Sequence, residues 1–280
     1  MEFYYDVHDG QGPFLLMVHG FLSSRSQWAP NLEALAQVAR PVVVELWGHG
    51  RSPAPDDPVL YHPDTYIQIF ERLRQRLGVA RWLLCGQSFG AALTWRYALD
   101  HPERIMAHVF TNSSAAFADA EWIETRRQSV IQQIAALERD GKAALESFRV
   151  HPSHARRLPP DIQAQLLADA ALHSPHGIAQ TLRYATLNVP VRDRLKDNRV
   201  PALLVCGGRE RRFAHHRTFA QHEIPCLECV DTAAGHAVNI EAAEAFNAAV
   251  SDFITRQTSR SAGDLSPCHE RQRPGARGGA

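Results

Sequence analysis

Neither sign of charge is in excess in this chain: 30 Lys plus Arg offset 30 Asp plus Glu. Such a balance provides no long-range field to gather nucleic acid or an acidic lipid surface, so the expected partner is a small neutral or modestly polar molecule. Long apolar runs are missing as well. None approaches the roughly 18 residues of a membrane span, and residues 1–10 (MEFYYDVHDG) lack the basic flank and apolar stretch of a secretion signal. The expectation is a cytoplasmic protein with no membrane partner. Cysteine is scarce and odd in number, at 5. Cys85 and Cys206 fall inside apolar runs, which favours reduced thiols over a disulfide framework. Cys226 and Cys229 have metal-ligand spacing, but they lie in a strand-like run where positions three apart face opposite ways, and no second Cys or His pair is near. Neither a metal nor a cofactor is expected. Nothing in the sequence speaks to oligomeric state.

Apolar residues make up 45% and charged residues 21% of 280 positions, the proportions of a globular chain with one large core and room for an insertion. Short runs rich in Val and Leu recur at Phe14 to Val18, Val42 to Leu46, Trp82 to Cys85, Met106 to Phe110, Ala202 to Cys206 and Cys226 to Val230. Helical periodicity fills the intervals at Trp28 to Ala39, Thr65 to Leu77 and Phe89 to Leu99, and follows the last run from Ala237 to Thr255. Asp64 reads as the N-cap of the second helix, and Pro102 as the stop after the third. This alternation predicts an α/β fold, a doubly wound, mostly parallel sheet of about seven or eight strands. Between Ser113 and Asn188 the strand signal disappears, leaving helical stretches such as Trp122 to Glu138 and Asp161 to Leu172. The predicted organisation is a core of residues 1–112 and 189–256, a helical cap of residues 113–188, and a disordered tail of residues 257–280 that is poor in large apolar side chains.

The strongest chemical signal is Gly86-Gln87-Ser88-Phe89-Gly90, set between a strand-like run and a helix-like one. This is the setting of a nucleophile elbow, in which a serine occupies a strained turn and flanking side chains would collide with strand or helix. A serine hydroxyl needs a base, and His236, after the last predicted strand and preceded by Gly235, is the candidate among 15 histidines. The base needs a carboxylate to set its tautomer. Glu210, in Gly207-Gly208-Arg209-Glu210 at the end of a predicted strand, is preferred, with Asp231 and Asp119 as lesser candidates. Backbone N–H groups of Phe89 and of Phe21, in His19-Gly20-Phe21, are the expected oxyanion donors. His19 reads as a loop-bracing residue, and Gly48-His49-Gly50-Arg51-Ser52 as a tight turn rather than a phosphate loop. His101, His173, His215 and His216 read as surface residues. Gln87, Trp122, Phe148, Leu158 and Tyr184 are candidates for the substrate pocket, and Arg25 or Arg183 for holding a substrate carboxylate.

Taken together, HGF, GHGRS, GQSFG, GGRE and GH stand in the order and spacing of the α/β-hydrolase superfamily, and the chain resembles its serine hydrolase branch with a helical cap over about Phe3 to Arg256. That resemblance implies a Ser88, Glu210, His236 triad, an oxyanion hole at Phe21 and Phe89, and a structural role for GHGRS. It also implies seven core strands rather than eight, because the N-terminus is short. The family usually carries Asp where Glu210 stands. Ser88 separates the chain from haloalkane dehalogenases and epoxide hydrolases, which use an Asp nucleophile. The segment GHAVNIEAAEAFNAAVSDFI is similar to carbon–carbon bond hydrolases of aromatic degradation, while FLSSRSQW departs from their pattern. GGRERRF is similar to a menaquinone-pathway synthase, which places an arginine where Ala92 stands. The implied activity is hydrolysis of a small ester, lactone or related carbonyl compound through an acyl-enzyme. The alternatives are cleavage of a vinylogous diketone and a non-catalytic ligand-binding protein that kept the fold.

Overall fold

The computed structural model describes residues 2–261. Seven strands, β1 (Tyr4–Val7), β2 (Phe14–Val18), β3 (Arg40–Glu45), β4 (Trp82–Gly86), β5 (Ile105–Phe110), β6 (Ala202–Gly207) and β7 (Leu227–Thr232), form one sheet in the order β1-β3-β2-β4-β5-β6-β7. Only β1 runs antiparallel, against β3; every other pair is parallel. The six apolar runs all became strands. The seventh, β1, was not legible as a run because it is a short edge strand that is half-buried at best. An edge needs no continuous apolar sequence, since one face and one side meet water.

Among the described residues ten α-helices accompany the sheet: α1 (Ala29–Leu35), α2 (Pro63–Arg76), α3 (Phe89–Asp100), α4 (Ala120–Asp140), α5 (Lys142–Glu146), α6 (Pro160–Ala170), α7 (Pro175–Tyr184), α8 (Ala214–Glu223), α9 (Val238–Glu241) and α10 (Ala243–Ser261). Strand side chains alternate between two cores. Leu16, Val18, Leu84 and Leu204 meet α2 and α3 through Phe70, Trp95 and Tyr97. Leu15, Met17, Leu83 and Leu203 meet Leu35 of α1 and Phe246, Val250 and Phe253 of α10 on the other face. The sheet is therefore buried on both sides, which is why its central strands read as continuous apolar runs.

Between β5 and β6 the chain contributes only helices and turns, with their own cluster of Leu22, Val130, Ile134, Phe148, Ile178 and Leu182. A smaller cluster joins Ile162 and Leu166 of α6 to Ile240 of α9. Among the described residues no helix is long and apolar enough to cross a membrane.

Three local expectations need correction. His62, not Asp64, caps α2: Pro63 takes the first helical position, and the His62 ring accepts from the Asp64 amide. Asp64 is left in the first turn, where it pairs with Arg96 at 2.7 Å. The last helix runs to Ser261, so residues 257–261, assigned by sequence to the tail, continue a helix anchored by Phe253 and Ile254; the rest of the expected tail lies outside the described residues. Cys85, Cys206 and Cys229 are free thiols, whereas Cys226, half-exposed just ahead of β7, is disulfide-bonded and does not fit the expectation of reduced cysteines.

Candidate active site

The strand β4 ends at Gly86, and after Gln87 the backbone reverses sharply at Ser88, which has φ 52 and ψ −114. A left-handed φ in a residue with a Cβ costs energy and has to be held by its surroundings. The neighbours explain both glycines. A Cβ on Gly86 would lie 2.3 Å from Thr94 Oγ1, and one on Gly90 would lie 2.2 Å from the Val18 carbonyl oxygen. Ser113 Oγ donates to the Ser88 carbonyl at 2.6 Å and braces the turn. Ser88 is thereby the residue before α3, with its hydroxyl at the C-terminal edge of the sheet.

Two other segments reach the same edge. After β7 the chain passes Gly235 to His236, and a Cβ on Gly207 would fall 1.9 Å from the Gly235 carbonyl oxygen, so the end of β6 must be glycine for this loop to pass. The Gly235 amide donates to Glu241 Oε2 at 2.8 Å, and Gln87 Nε2 donates to the His236 carbonyl at 3.2 Å. His236 Nε2 lies 2.9 Å from Ser88 Oγ, and its Nδ1 lies 2.9 Å from Glu210 Oε2. A carboxylate can only accept, so Nδ1 carries the proton and the Ser88 hydroxyl donates to Nε2.

Glu210 stands three residues past β6 and is held from below by Asn112, whose Nδ2 donates to Oε2 at 2.9 Å and to the Gly207 carbonyl at 3.1 Å. Asn112 Oδ1 accepts from the Gly207 amide at 3.0 Å. Burial opposes ionisation of Glu210, but the hydrogen bond and charge of His236 and the Asn112 contact outweigh it, holding the carboxyl below its usual range. Asn112 was not singled out by sequence; its only signal is its position just past the β5 terminus. Asp231 pairs with Arg217 at 2.6 Å, and Asp119 caps α4 through the Trp122 amide at 2.9 Å, so neither lesser candidate meets the histidine.

The loop after β2 lies against the elbow. A Cβ on Gly20 would meet Gln87 Oε1 at 2.1 Å and Ser88 Cβ at 3.2 Å. Phe21, next in the chain, packs its ring against both the main core and the cluster of Phe148 and Leu22. Phe89 opens α3, where an amide has no partner within the helix. His19 behaves as a brace: Nε2 accepts from the Leu46 amide at 3.0 Å and Nδ1 donates to the Gly20 carbonyl at 2.7 Å. Gly48 and Gly50 adopt φ 72 and 51, the tight turn expected of GHGRS.

Of the pocket candidates, Gln87 is buried beside His236. Phe148 is buried in the helical cluster, its ring 6.0 Å from that of Phe21. Leu158 packs on the cluster of Ile162, Leu166 and Ile240, Tyr184 packs on the main core, and Trp122 is half-buried beneath Arg126 at 5.2 Å. The two candidate arginines are already committed, Arg25 to Asp6 and Arg183 to Glu138, each at 2.5 Å. His173 and His216, expected at the surface, are buried: the first enters the GHGRS turn, the second sits between Phe117 and Phe213. His215 stays exposed and His101 partly so. Among the described residues no group of His, Cys, Asp and Glu is arranged to hold a metal ion.

The sheet order, the elbow after β4 and the insertion after β5 define an α/β-hydrolase-type protein. The chain belongs to the α/β hydrolase fold family, whose model matches residues 13–243. It is similar to a putative 2-succinyl-6-hydroxy-2,4-cyclohexadiene-1-carboxylate synthase of Bacillus subtilis, at 25% identity over 251 residues, covering 86% of this chain and 90% of that one. Among solved structures, MenH from S. aureus superposes with a TM-score of 0.81 at 22% identity, covering 91% of this chain and 98% of that one. The enol-lactonase from Burkholderia xenovorans gives 0.76 at 23% identity, covering 90% and 96%. At these identities the two structures bear on the fold alone.

Proposed function

We propose that the protein is a serine hydrolase that cleaves a small carboxylic ester or lactone through an acyl-enzyme, with Ser88 as nucleophile, His236 as general base and Glu210 as the orienting acid. The observation that carries this reading is the unbroken relay from Ser88 Oγ to His236 Nε2 and from His236 Nδ1 to Glu210 Oε2, both at 2.9 Å. His236 takes the Ser88 proton as Oγ attacks the carbonyl carbon, and Glu210 stabilises the imidazolium. The oxyanion forms against the amides of Phe21 and Phe89, donors of a kind worth about 3–4 kcal/mol each in the transition state. His236 then protonates the leaving alcohol, and water activated by the same ring releases the acid. Residues 113–188 act as a cap whose helices roof the site and whose lining sets substrate choice. Ser88→Ala is the test: it abolishes turnover of a short p-nitrophenyl ester and labelling by a fluorophosphonate while leaving the melting temperature unchanged. Activity or labelling that survives in that variant sinks the proposal.

A second reading, a synthase that forms a cyclohexadiene carboxylate, is favoured by the similarity to the putative Bacillus subtilis synthase along most of both chains. Against it stands Ala92, fully buried on α3 where that enzyme type is expected to place an arginine. Fluorophosphonate labelling with no acyl-enzyme on a panel of esters, lactones and vinylogous diketones favours the second reading over the first.

A further inference from the structure

The corner between α6 and α7 reaches out of the helical insertion and into the loops beside the nucleophile. Asp169, 4% exposed, accepts from Ser24 Oγ at 2.7 Å and Ser26 Oγ at 2.5 Å, both just past the HGF loop, and from Arg51 of GHGRS at 3.0 Å. His173 Nδ1 accepts from the Gly50 amide at 2.9 Å, and the Ser174 amide donates to the Gly48 carbonyl at 2.9 Å. Contact is so close that a Cβ on Gly48 would lie 2.7 Å from Gly177 Cα.

The GHGRS turn passes this contact on. The His173 ring meets His49 edge-on at 5.3 Å, and His49 Nε2 accepts from the Leu22 amide at 3.2 Å while its Nδ1 donates to the Trp47 carbonyl at 2.9 Å. Leu22 is fully buried and left-handed, at φ 55, a conformation that a branched side chain adopts only when its surroundings hold it. The peptide unit held by His49 is the one joining Phe21 to Leu22. From this one corner, bonds thus end on Ser24 and Ser26, just past Leu22, and on the GHGRS turn, whose His49 holds the strained residue next to the Phe21 amide.

We propose that Asp169 and His173 are positioning residues, through which seating of the cap holds the Phe21–Leu22 turn and so aims the Phe21 amide at the oxyanion. This rests on the reading of Phe21 as an oxyanion donor in a serine hydrolase. The chemistry favours a strong latch. Burial opposes ionisation of Asp169, yet the Ser26, Ser24 and Arg51 hydrogen bonds outweigh it and keep its carboxyl below the usual value. Its charge is thus available to all three donors, and hydrogen bonds to a charged group are the stronger kind. A misaimed donor loses transition-state stabilisation without weakening substrate binding, because the oxyanion exists only after attack.

The test compares wild type with Asp169→Ala, Asp169→Asn, His173→Leu and His173→Asn on p-nitrophenyl acetate, together with inhibition by phenylboronic acid, which adds to a serine hydroxyl as a tetrahedral anion. Asp169→Ala and His173→Leu are expected to lower kcat by about tenfold to a hundredfold with KM held within about threefold, and to weaken the boronate by a similar factor. Asp169→Asn and His173→Asn, which keep an acceptor near the same place, recover part of the loss. Unchanged kcat, or a KM that rises while kcat and boronate affinity stay constant, overturns the proposal. Should Asp169→Ala not fold, the double variant Ser24→Ala, Ser26→Ala removes two of the same bonds from the core side and decides the matter by the same criteria. The two readings fail differently: wild type that does not label at Ser88 with a fluorophosphonate sinks the hydrolase itself, whereas labelling with unmoved kcat in the variants sinks only the positioning.

Discussion

Asn112 and Glu210 are bonded through the same carboxylate oxygen that meets the histidine: Asn112 Nδ2 donates to Oε2 at 2.9 Å, and His236 Nδ1 lies 2.9 Å from it. Asn112 also closes a pair of hydrogen bonds with Gly207, so the end of β5 fixes both the terminus of β6 and the acid that follows it. Replacing Asn112 by Ala leaves the carboxylate one donor short and free to swing. The expected result is a kcat lowered by about tenfold at little change in KM, measured by steady-state kinetics on p-nitrophenyl acetate. Full kcat in this variant means that the acid does not need to be held.

The length of Glu210 matters as much as its charge. It reaches His236 from three residues past β6, and Glu210→Asp draws the carboxylate back by a methylene, beyond the reach of either His236 or Asn112. Glu210→Gln keeps the length but offers the ring a wrong partner, which in an equivalent arrangement costs about 10⁴-fold in kcat. The ordering expected is wild type, then Asp, then Gln, read from kcat alone. A Glu210→Gln enzyme within about tenfold of wild type removes Glu210 from the proposed relay.

Buried histidines make the fold acid-sensitive. Burial pushes His19, His173 and His216 down to about 4 and His108 to about 3, from an ordinary value of 6.5. Between pH 6.5 and about 4 the unfolded chain binds protons at these positions and the folded chain does not. Stability therefore falls as pH drops through this window, with a slope of up to ~1.4 kcal/mol per pH unit for each histidine. Denaturant midpoints at a series of pH values check this. His108→Gln should flatten the slope, since His108 is fully buried and bonded to Thr94 at 2.9 Å; an unchanged slope shows that His108 does not contribute.

Gly207 lets the histidine loop cross the end of β6. A Cβ there has 1.9 Å to the Gly235 carbonyl oxygen, and backbone cannot yield as a flexible side chain does. Gly207→Ala is expected to displace His236 and cut kcat by about a hundredfold or more, with fluorophosphonate labelling of Ser88 slowed in parallel. Gly78→Ala is the contrast. Its site is open space with φ 69, so the cost there is strain in stability, not activity. Equal activity in Gly207→Ala and wild type refutes the steric argument.

Sequence by itself determined what is local. Continuous apolar runs marked the six strands buried on both faces, and the glycines around Ser88 marked an elbow, because steric exclusion and burial act on neighbouring residues and leave their mark in short patterns. The placing of His236 and Glu210 after the last two predicted strands followed from the same logic, since a parallel sheet brings strand ends to one edge. Tertiary structure alone decided which polar side chains had partners. Arg25 and Arg183 find Asp6 and Glu138, Asp231 finds Arg217 instead of the histidine, and Asn112 finds Glu210 across 98 positions of chain. His173 likewise read as a surface residue, and Asp169 gave no signal of its own, until the fold pressed that corner into the GHGRS turn. Polar pairing depends on distance in space and direction of approach, and no periodicity in the chain encodes either.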